Sequence, residues 1–461
     1  MKFYPLFLLF SSLITACLQA QPYEKGVLKD TVHLIGTPEE SFALYLPQSF
    51  DPKSPSAVIF VFDPAGRGNA GAMPFIEAAE TYDIIVVCSN NSRNAAYAKN
   101  FDIAQRWFDD VFSRFNIDQN LIYAAGFSGG SRLASAIGVI SGAFKGVIGC
   151  GASFSGNPGQ VPYKSDHFYY YGLVGTLDMN YQEMLNAKQW LNRMNLPNRI
   201  MTFDGKHHWP DSQEISSAFH WFRLQDINNN RSPTDQVFLE SYLTTWLDKA
   251  HDMMKTQNLI GAAENYEHII NTLNPHFDLD SISGHLKQIR KTREYKKAVS
   301  ERERISSLEN RWTEKLVGRI SLETEQESLP EDFRWWHKEM DQLHQDYIDA
   351  EKPEMKDMGL RLQSMITAVA IENLELAVSQ NNSKDILYYA LLMHANWPKN
   401  AYIQFRIARA YALQGKDEES LSHLKQAVNN GWTNKSWILK EKAFESLAED
   451  KEFQLILEQI R

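Results

Sequence analysis

The stretch Leu121–Ser131, LIYAAGFSGGS, decides the fold of the first half of the chain. Its first five residues predict a buried strand, GFSGG follows directly as a turn, and helical periodicity begins near Ser131. Glycines suit this turn because flanking side chains would collide with the strand and the helix. The pattern predicts Ser128 at the carboxyl end of a strand, beside a helix amino terminus whose dipole favours negative charge.

The sequence around this stretch alternates short apolar runs with helical periods as far as about Arg223. Two early runs, Glu24–Leu34 and Ser41–Leu46, alternate apolar and polar residues, which predicts an antiparallel edge. Near-continuous apolar runs, typical of strands buried on both faces, cover Ala57–Phe62, Ile84–Cys88, Leu121–Ala125, Lys145–Cys150, Phe168–Val174 and Arg199–Phe203. Together they predict an α/β fold with a mostly parallel sheet flanked by helices.

The sequence beyond residue 230 predicts a separate all-α domain. Ile227–Pro233, INNNRSP, is polar and rich in helix-breaking residues, which suits a linker. Everything after it is helical in period and rich in Glu, Lys, Gln and Leu. The predicted domains are therefore residues 21–230 and 231–461, after a signal segment at 1–20.

Small and aromatic residues recur in this second half at a spacing that resembles the tetratricopeptide repeat. One copy comprises Ala408, Tyr411, Gly415, Leu424 and Ala427, and a weaker copy comprises Trp246, Ala250, Ala262 and Tyr266. The resemblance implies antiparallel helix pairs that could hold a protein partner. Two copies are fewer than a free-standing solenoid needs, so residues 279–380 are expected to supply irregular helical pairs or a different packing.

The amino terminus has the features of an export signal. Lys2 precedes the apolar run Phe3–Ala16, which is too short to span a bilayer as a stable helix. Ile14–Cys17, ITAC, resembles the lipobox of bacterial lipoproteins, which implies lipidation of Cys17 and a lipid anchor; ordinary cleavage after Ala20 is the alternative. Both routes predict an extracytoplasmic protein, either a periplasmic or outer-membrane lipoprotein or a secreted one.

Composition narrows the functional class. The chain has 461 residues, 43% of them hydrophobic, and a net charge of −10, so it is expected to fold as two or three domains with no nucleic acid as main partner. The cysteines at 17, 88 and 150 cannot form a disulfide framework, and Cys88 and Cys150 are expected to be buried apolar residues. No cluster of metal-ligand spacing is present, and we expect neither metal nor cofactor.

Two polar residues follow later strands in the order that a serine nucleophile requires. Asp178 comes just after one predicted strand and His207, in GKHHWP, just after the next, so both are expected at the same sheet edge as Ser128. Three alternatives stay open: His208 as the base, Asp204 as the acid, and Asp178 as a helix N-cap.

An oxyanion formed at Ser128 needs two amide donors. The amide of Gly129, directly after the serine, is one candidate. The other is expected in Asp63–Gly68, DPAGRG, which follows the strand at 57–62. Pro64 has no N–H, so Ala65 is the first candidate there and Gly66 the second.

GFSGG and GKHHWP together resemble the α/β-hydrolase fold over about residues 24–223. Secreted esterases of the polyhydroxybutyrate-depolymerase, feruloyl-esterase and acetylxylan-esterase type carry Gly-x-His-x-Trp-Pro around the catalytic histidine, which matches His207. The resemblance implies a serine esterase in which Ser128 forms an acyl-enzyme, His207 transfers the proton and Asp178 orients the histidine. Asp63-Pro64 departs from the His-Gly that the family often has at that loop.

Few residues separate Cys150 from Phe168, so no inserted lid is expected there. An open site would admit large acyl esters, including polymeric or polysaccharide-linked ones. The same residues could cleave amides, as in a serine peptidase. A different class of function also remains, in which the first half is a non-catalytic scaffold of a binding or assembly protein.

Overall fold

The computed structural model describes residues 23–330 and 332–460. The predicted signal segment, with the lipidation candidate Cys17, lies outside the described residues. The chain forms two compact units, Met1–Glu301 and Arg302–Arg461. Within the described residues, no helix is long and apolar enough to cross a membrane.

The first unit is built on an eight-stranded sheet with the order β1-β2-β4-β3-β5-β6-β7-β8. Its strands are β1 Lys29–His33, β2 Ser41–Tyr45, β3 Ser56–Phe62, β4 Ile84–Ser89, β5 Ile117–Phe127, β6 Gly146–Cys150, β7 Tyr169–Gly175 and β8 Asn198–Phe203. The second strand runs antiparallel to both of its neighbours, and all the other neighbouring strands are parallel. This arrangement confirms the predicted mainly parallel α/β sheet with an antiparallel edge and fits the α/β-hydrolase fold.

Helices cover both faces of this sheet. The helices between residues 68 and 291 are α1 Gly68–Ala72, α2 Ile76–Tyr82, α3 Tyr97–Arg114, α4 Gly129–Ser141, α5 Tyr181–Met194, α6 Ser212–Asn228, α7 Gln236–Lys255, α8 Leu259–Leu273 and α9 Asp280–Lys291, with 3-10 turns at Met73–Phe75 and Pro158–Gln160. Side chains of β3 alternate between two cores, as the period of a strand requires. Phe60 packs edge-on against Trp107 of α3, with ring centroids 5.1 Å apart. Ile59 and Val61 face the other core, which includes Phe222 of α6.

The division between the units comes after Glu301 and not at residue 230, where the linker was predicted. Leu224 and Ile227, at the end of α6, share one core with Leu239 and Trp246 of α7. The polar stretch between these helices is a tight turn, in which the amide of Arg231 donates to the carbonyl of Asp226 at 2.8 Å. The core that begins at the end of α6 therefore extends the first unit through α7, α8 and α9.

The described residues of the second unit form helices joined by turns and loops, with no strand among them. The division between the units falls within α10, Arg293–Thr324. The helices that follow are α11 Arg334–Leu343, α12 Pro353–Ser379, α13 Ser383–Asn396, α14 Ala401–Ala412, α15 Asp417–Asn429, α16 Lys435–Lys440 and α17 Lys451–Gln459, with a π-helical turn at His344–Ile348 and a 3-10 turn at Lys442–Leu447. The α14–α15 pair contains the stronger repeat-like copy. In it, Ala408 and Leu424 are fully buried, and the Ser420 hydroxyl donates to the Ala408 carbonyl at 2.9 Å. Its relation to tetratricopeptide repeats stays a prediction.

The interior of the second unit holds an ion pair between α10 and α12. Arg361 donates to the Glu309 carboxylate from Nε at 2.7 Å and from Nη2 at 2.6 Å. Both side chains are nearly inaccessible, at 6% and 5% exposure. Removing one partner would leave the other charge buried, which costs far more than losing a surface pair.

We expect Glu309→Ala to lower the free energy of unfolding of the second unit by about 3–5 kcal/mol, because the Arg361 guanidinium would then be buried without its carboxylate. The matched control is Lys425→Ala, which removes a half-exposed partner 4.0 Å from Glu452. Its cost is expected to be about 0–1 kcal/mol. Urea unfolding followed by circular dichroism measures both; equal losses would contradict the expectation.

Candidate active site

Ser128 lies in the bend between β5 and α4, with φ 54° and ψ −122°. A non-glycine residue at positive φ marks a strained turn, as GFSGG predicts. The turn is also tight, because a Cβ added to Gly126 would lie 2.1 Å from the Gly130 carbonyl oxygen. The Ser128 amide donates to the Cys150 carbonyl at 2.8 Å, which fixes the bend against the end of β6.

Ser128, His207 and Asp178 come together at the carboxyl edge of the sheet. His207 Nε2 lies 2.9 Å from the Ser128 hydroxyl oxygen. His207 Nδ1 lies 2.8 Å from Asp178 Oδ2. With the proton on Nδ1, the ring donates to Asp178 and accepts the hydrogen bond from Ser128. Asp178 is fully buried, so the carboxylate that binds His207 is shielded from water.

His208 and Asp204, the alternative base and acid, are not part of this chain of hydrogen bonds. His208 is exposed, with Nδ1 at 2.7 Å from the Trp209 carbonyl and its ring beside Phe203. Asp204 is also exposed. The residue at the N-cap of α5 is Asn180, and Asp178 Oδ1 accepts the Asn180 amide at 2.8 Å. Asp178 therefore shapes the turn before the helix with one oxygen and binds His207 with the other.

A second buried carboxylate, that of Asp63, connects two loops at this edge. Directly after β3, it accepts the Ala65 amide at 2.9 Å, Arg67 Nε and Nη2 at 3.0 Å each, and the Trp209 indole N–H at 3.0 Å. Trp209 belongs to the loop that carries His207, and Phe127 packs against both rings. The Asp63 carboxylate therefore ties the loop after β3 to the histidine loop.

Burial alone would raise the pKa of Asp63, but the hydrogen bonds from Arg67, Trp209 and backbone amides outweigh it and hold the pKa below its usual value. The role of Asp63 in joining these loops was not predicted from the sequence. The available signal was an acidic residue placed directly after an apolar strand, where an unpaired charge would be costly.

The loop after β3 differs from the oxyanion arrangement predicted for it. The Ala65 amide, expected as the second donor, is committed to Asp63 Oδ1. The Gly66 amide donates to the Asp63 carbonyl at 3.1 Å. The geometry therefore does not support Ala65 as the donor, because the Asp63 carboxylate draws the loop amides toward itself. Gly129, the other predicted donor, is the first residue of α4.

Cys88 and Cys150 are free and fully buried, and burial raises the pKa of both. Among the described residues, no three His, Cys, Asp or Glu side chains are grouped so that they could hold a metal ion.

The chain is similar to known proteins at the level of solved structures. No family model and no curated protein matches the chain. S-formylglutathione hydrolase FrmB from Staphylococcus aureus aligns at 20% identity over 40% of this chain and 90% of its own, with a TM-score of 0.35. The fluorophosphonate-binding serine hydrolase FphF from Staphylococcus aureus aligns at 16% identity over 42% and 96%, with a TM-score of 0.36. Est1E from Butyrivibrio proteoclasticus aligns at 10% identity over 43% and 100%, with a TM-score of 0.34.

We expect Trp209→Phe to lower the free energy of unfolding of the first unit by about 1–3 kcal/mol, because the buried Asp63 carboxylate loses a donor that water cannot replace. Trp190→Phe is the matched control, since the described contact of Trp190 is an edge-on ring pair with Phe154. Chemical denaturation followed by circular dichroism compares the two. A smaller loss for Trp209→Phe than for Trp190→Phe would contradict the role assigned to the indole.

Proposed function

We propose that this chain is a serine hydrolase that cleaves carboxylic esters through an acyl-enzyme, with Ser128 as nucleophile, His207 as base and acid, and Asp178 as the orienting carboxylate. The observation that carries the proposal is the pair of hydrogen bonds, 2.9 Å and 2.8 Å, that joins these three side chains. They come from three separate connections of the sheet, after β5, β7 and β8, so their alignment is a product of the whole fold.

In the acylation step, Ser128 Oγ forms a bond to the acyl carbon while its proton passes to His207 Nε2. The carbonyl π electrons move to the oxygen, which becomes an oxyanion. When the carbonyl re-forms, the bond to the leaving alcohol breaks and the imidazolium gives that alcohol its proton. Water then repeats the sequence on the acyl-enzyme, and Asp178 stabilises the imidazolium each time.

The environment of Ser128 favours the charge that this step creates. The residue directly precedes α4, so the partial positive charge of that helix terminus faces the developing oxyanion. The amide of Gly129 is the donor supplied by the backbone. Both contributions are fixed before substrate arrives and need no rearrangement.

The connection between β6 and β7 supports a substrate class. Residues 151–168 contain one short 3-10 turn, Pro158–Gln160, and no helix that could form an inserted lid. We therefore propose that the site accepts bulky acyl esters, including polymeric or polysaccharide-linked ones. Comparing turnover of matched ester and amide substrates would separate an esterase from a peptidase.

Substitutions at the two adjacent histidines and the serine test the mechanism. We expect Ser128→Ala and His207→Ala each to lower kcat for short acyl esters by at least about 10⁴-fold, since each removes a group on which the others depend. His208→Ala is the matched control and should keep most of the activity, because its ring lies away from Ser128. The measurement is steady-state ester hydrolysis, with fluorophosphonate labelling of the same variants.

Unchanged hydrolysis and labelling in Ser128→Ala would remove the serine-hydrolase proposal. Absence of hydrolysis and of labelling in the wild-type protein would favour the non-catalytic alternative. A larger loss in His208→Ala than in His207→Ala would instead keep the mechanism and reassign the base.

We also propose that the protein is exported and anchored through a lipid on Cys17, on the evidence of the ITAC sequence. Cys17→Ser is expected to move the protein from the membrane fraction to the soluble one, because acyl chains supply most of the free energy of anchoring. Fractionation and metabolic labelling with a fatty-acid analogue measure this. Unchanged distribution, with no label in either form, would favour cleavage after Ala20.

A further inference from the structure

We infer that the side-chain amide of Asn94 supplies the second oxyanion donor, beside the backbone amide of Gly129. This inference rests on the proposed function, since it concerns the charge formed when Ser128 attacks a carbonyl. It assigns a catalytic role to a residue in the connection between β4 and α3.

The need for such a donor follows from the loop after β3. Its three candidate positions offer no uncommitted N–H: Pro64 has none, the Ala65 amide donates to the Asp63 carboxylate at 2.9 Å, and the Gly66 amide donates to the Asp63 carbonyl at 3.1 Å. Turning Ala65 toward the substrate would break a hydrogen bond to a buried carboxylate, which is a costly exchange. The loop after β3 is therefore built around Asp63, and a second donor has to come from another segment.

The Asn94 side chain lies beside the residue that follows the nucleophile. A Cβ added to Gly129 would lie 1.9 Å from Asn94 Oδ1, 2.8 Å from its Cγ and 3.2 Å from its Nδ2. The carboxamide therefore lies directly against the Cα of the residue that follows the nucleophile. Asn94 is exposed, so its side chain is accessible to a substrate arriving at Ser128.

Hydrogen bonds hold the backbone around Asn94 in place. The Asn94 amide donates to the Pro64 carbonyl at 2.8 Å, which joins this connection to the loop after β3. On its other side, the Asn100 side chain donates to the Arg93 carbonyl at 2.8 Å. The main-chain position from which the Asn94 side chain extends is therefore fixed before substrate binds.

The chemistry of a carboxamide suits this role. Its NH₂ group donates without carrying a charge, and half a turn about the Cβ–Cγ bond exchanges the nitrogen and the oxygen. As the Ser128 Oγ–carbon bond forms, the carbonyl π electrons move to the oxygen, and the Asn94 N–H stabilises that oxygen without transferring a proton. The donor is released when the carbonyl re-forms.

A side chain at residue 129 would compete with Asn94 for the same space. The space that a Cβ would fill is occupied by the Asn94 carboxamide. Gly129→Ala would therefore displace Asn94 while keeping the backbone N–H of residue 129. This separates the side-chain donor from the backbone donor.

We expect Asn94→Ala to lower kcat for a short acyl ester by about 10²–10³-fold, the usual cost of losing one oxyanion donor. KM is expected to stay within about twofold, because the interaction is made only in the transition state. Gly129→Ala should cause a similar loss, and the double variant should lose little more than either single one, since both remove the same contact. The matched control is Arg93→Ala, an exposed neighbour that should keep full kcat.

A trifluoromethyl ketone provides a second readout, because its adduct with the serine carries an oxyanion. Its inhibition constant should rise in Asn94→Ala by a factor similar to the loss in kcat. Full kcat and unchanged inhibition in Asn94→Ala, with activity that still depends on Ser128, would overturn the role of Asn94 alone. Wild-type protein without any Ser128-dependent activity would overturn this inference together with the proposed function.

Discussion

The buried carboxylate of Asp63 is the interaction on which the arrangement of the site depends. It lies at the end of β3, and burying it is tolerable only because Arg67, Trp209 and backbone amides surround it with donors. Its pKa is lowered in the folded protein, so its contribution to stability is present at neutral pH and is lost as the pH falls through that lowered pKa. One group thus fixes both the loop beside Ser128 and the loop that carries His207.

This constraint also explains the division of roles among the loops. The amides after β3 are turned inward to Asp63, and the stabilisation of charge that we propose at Ser128 therefore falls to α4 and to the connection after β4. The strained backbone conformation of Ser128 is held in place by the close approach of β5, β6 and α4. The sheet holds its functional side chains at one edge because parallel strands all end there.

Much of the first unit could be predicted because its signals are local. Apolar runs of strand length gave the strands at β3 to β8, and GFSGG marked the bend at Ser128. The order of Ser128, Asp178 and His207 could be inferred because each follows a strand that ends at the same edge. The Asp63 contacts could not, because Trp209 lies 146 residues away and nothing in the sequence pairs the two. Ala65 was chosen for its available N–H, and only the fold shows that Asp63 uses it.

The packing of α6 against α7 and α8 could not be predicted from the sequence for a related reason. INNNRSP has the composition of a linker, and its role depends on what Leu224 and Ile227 contact. The same packing bears on how the sheet-containing unit can be produced in isolation. A fragment that ended at residue 230 would leave those apolar side chains in water and would be prone to aggregate. The shortest fragment suitable for expression therefore retains the helices as far as α9.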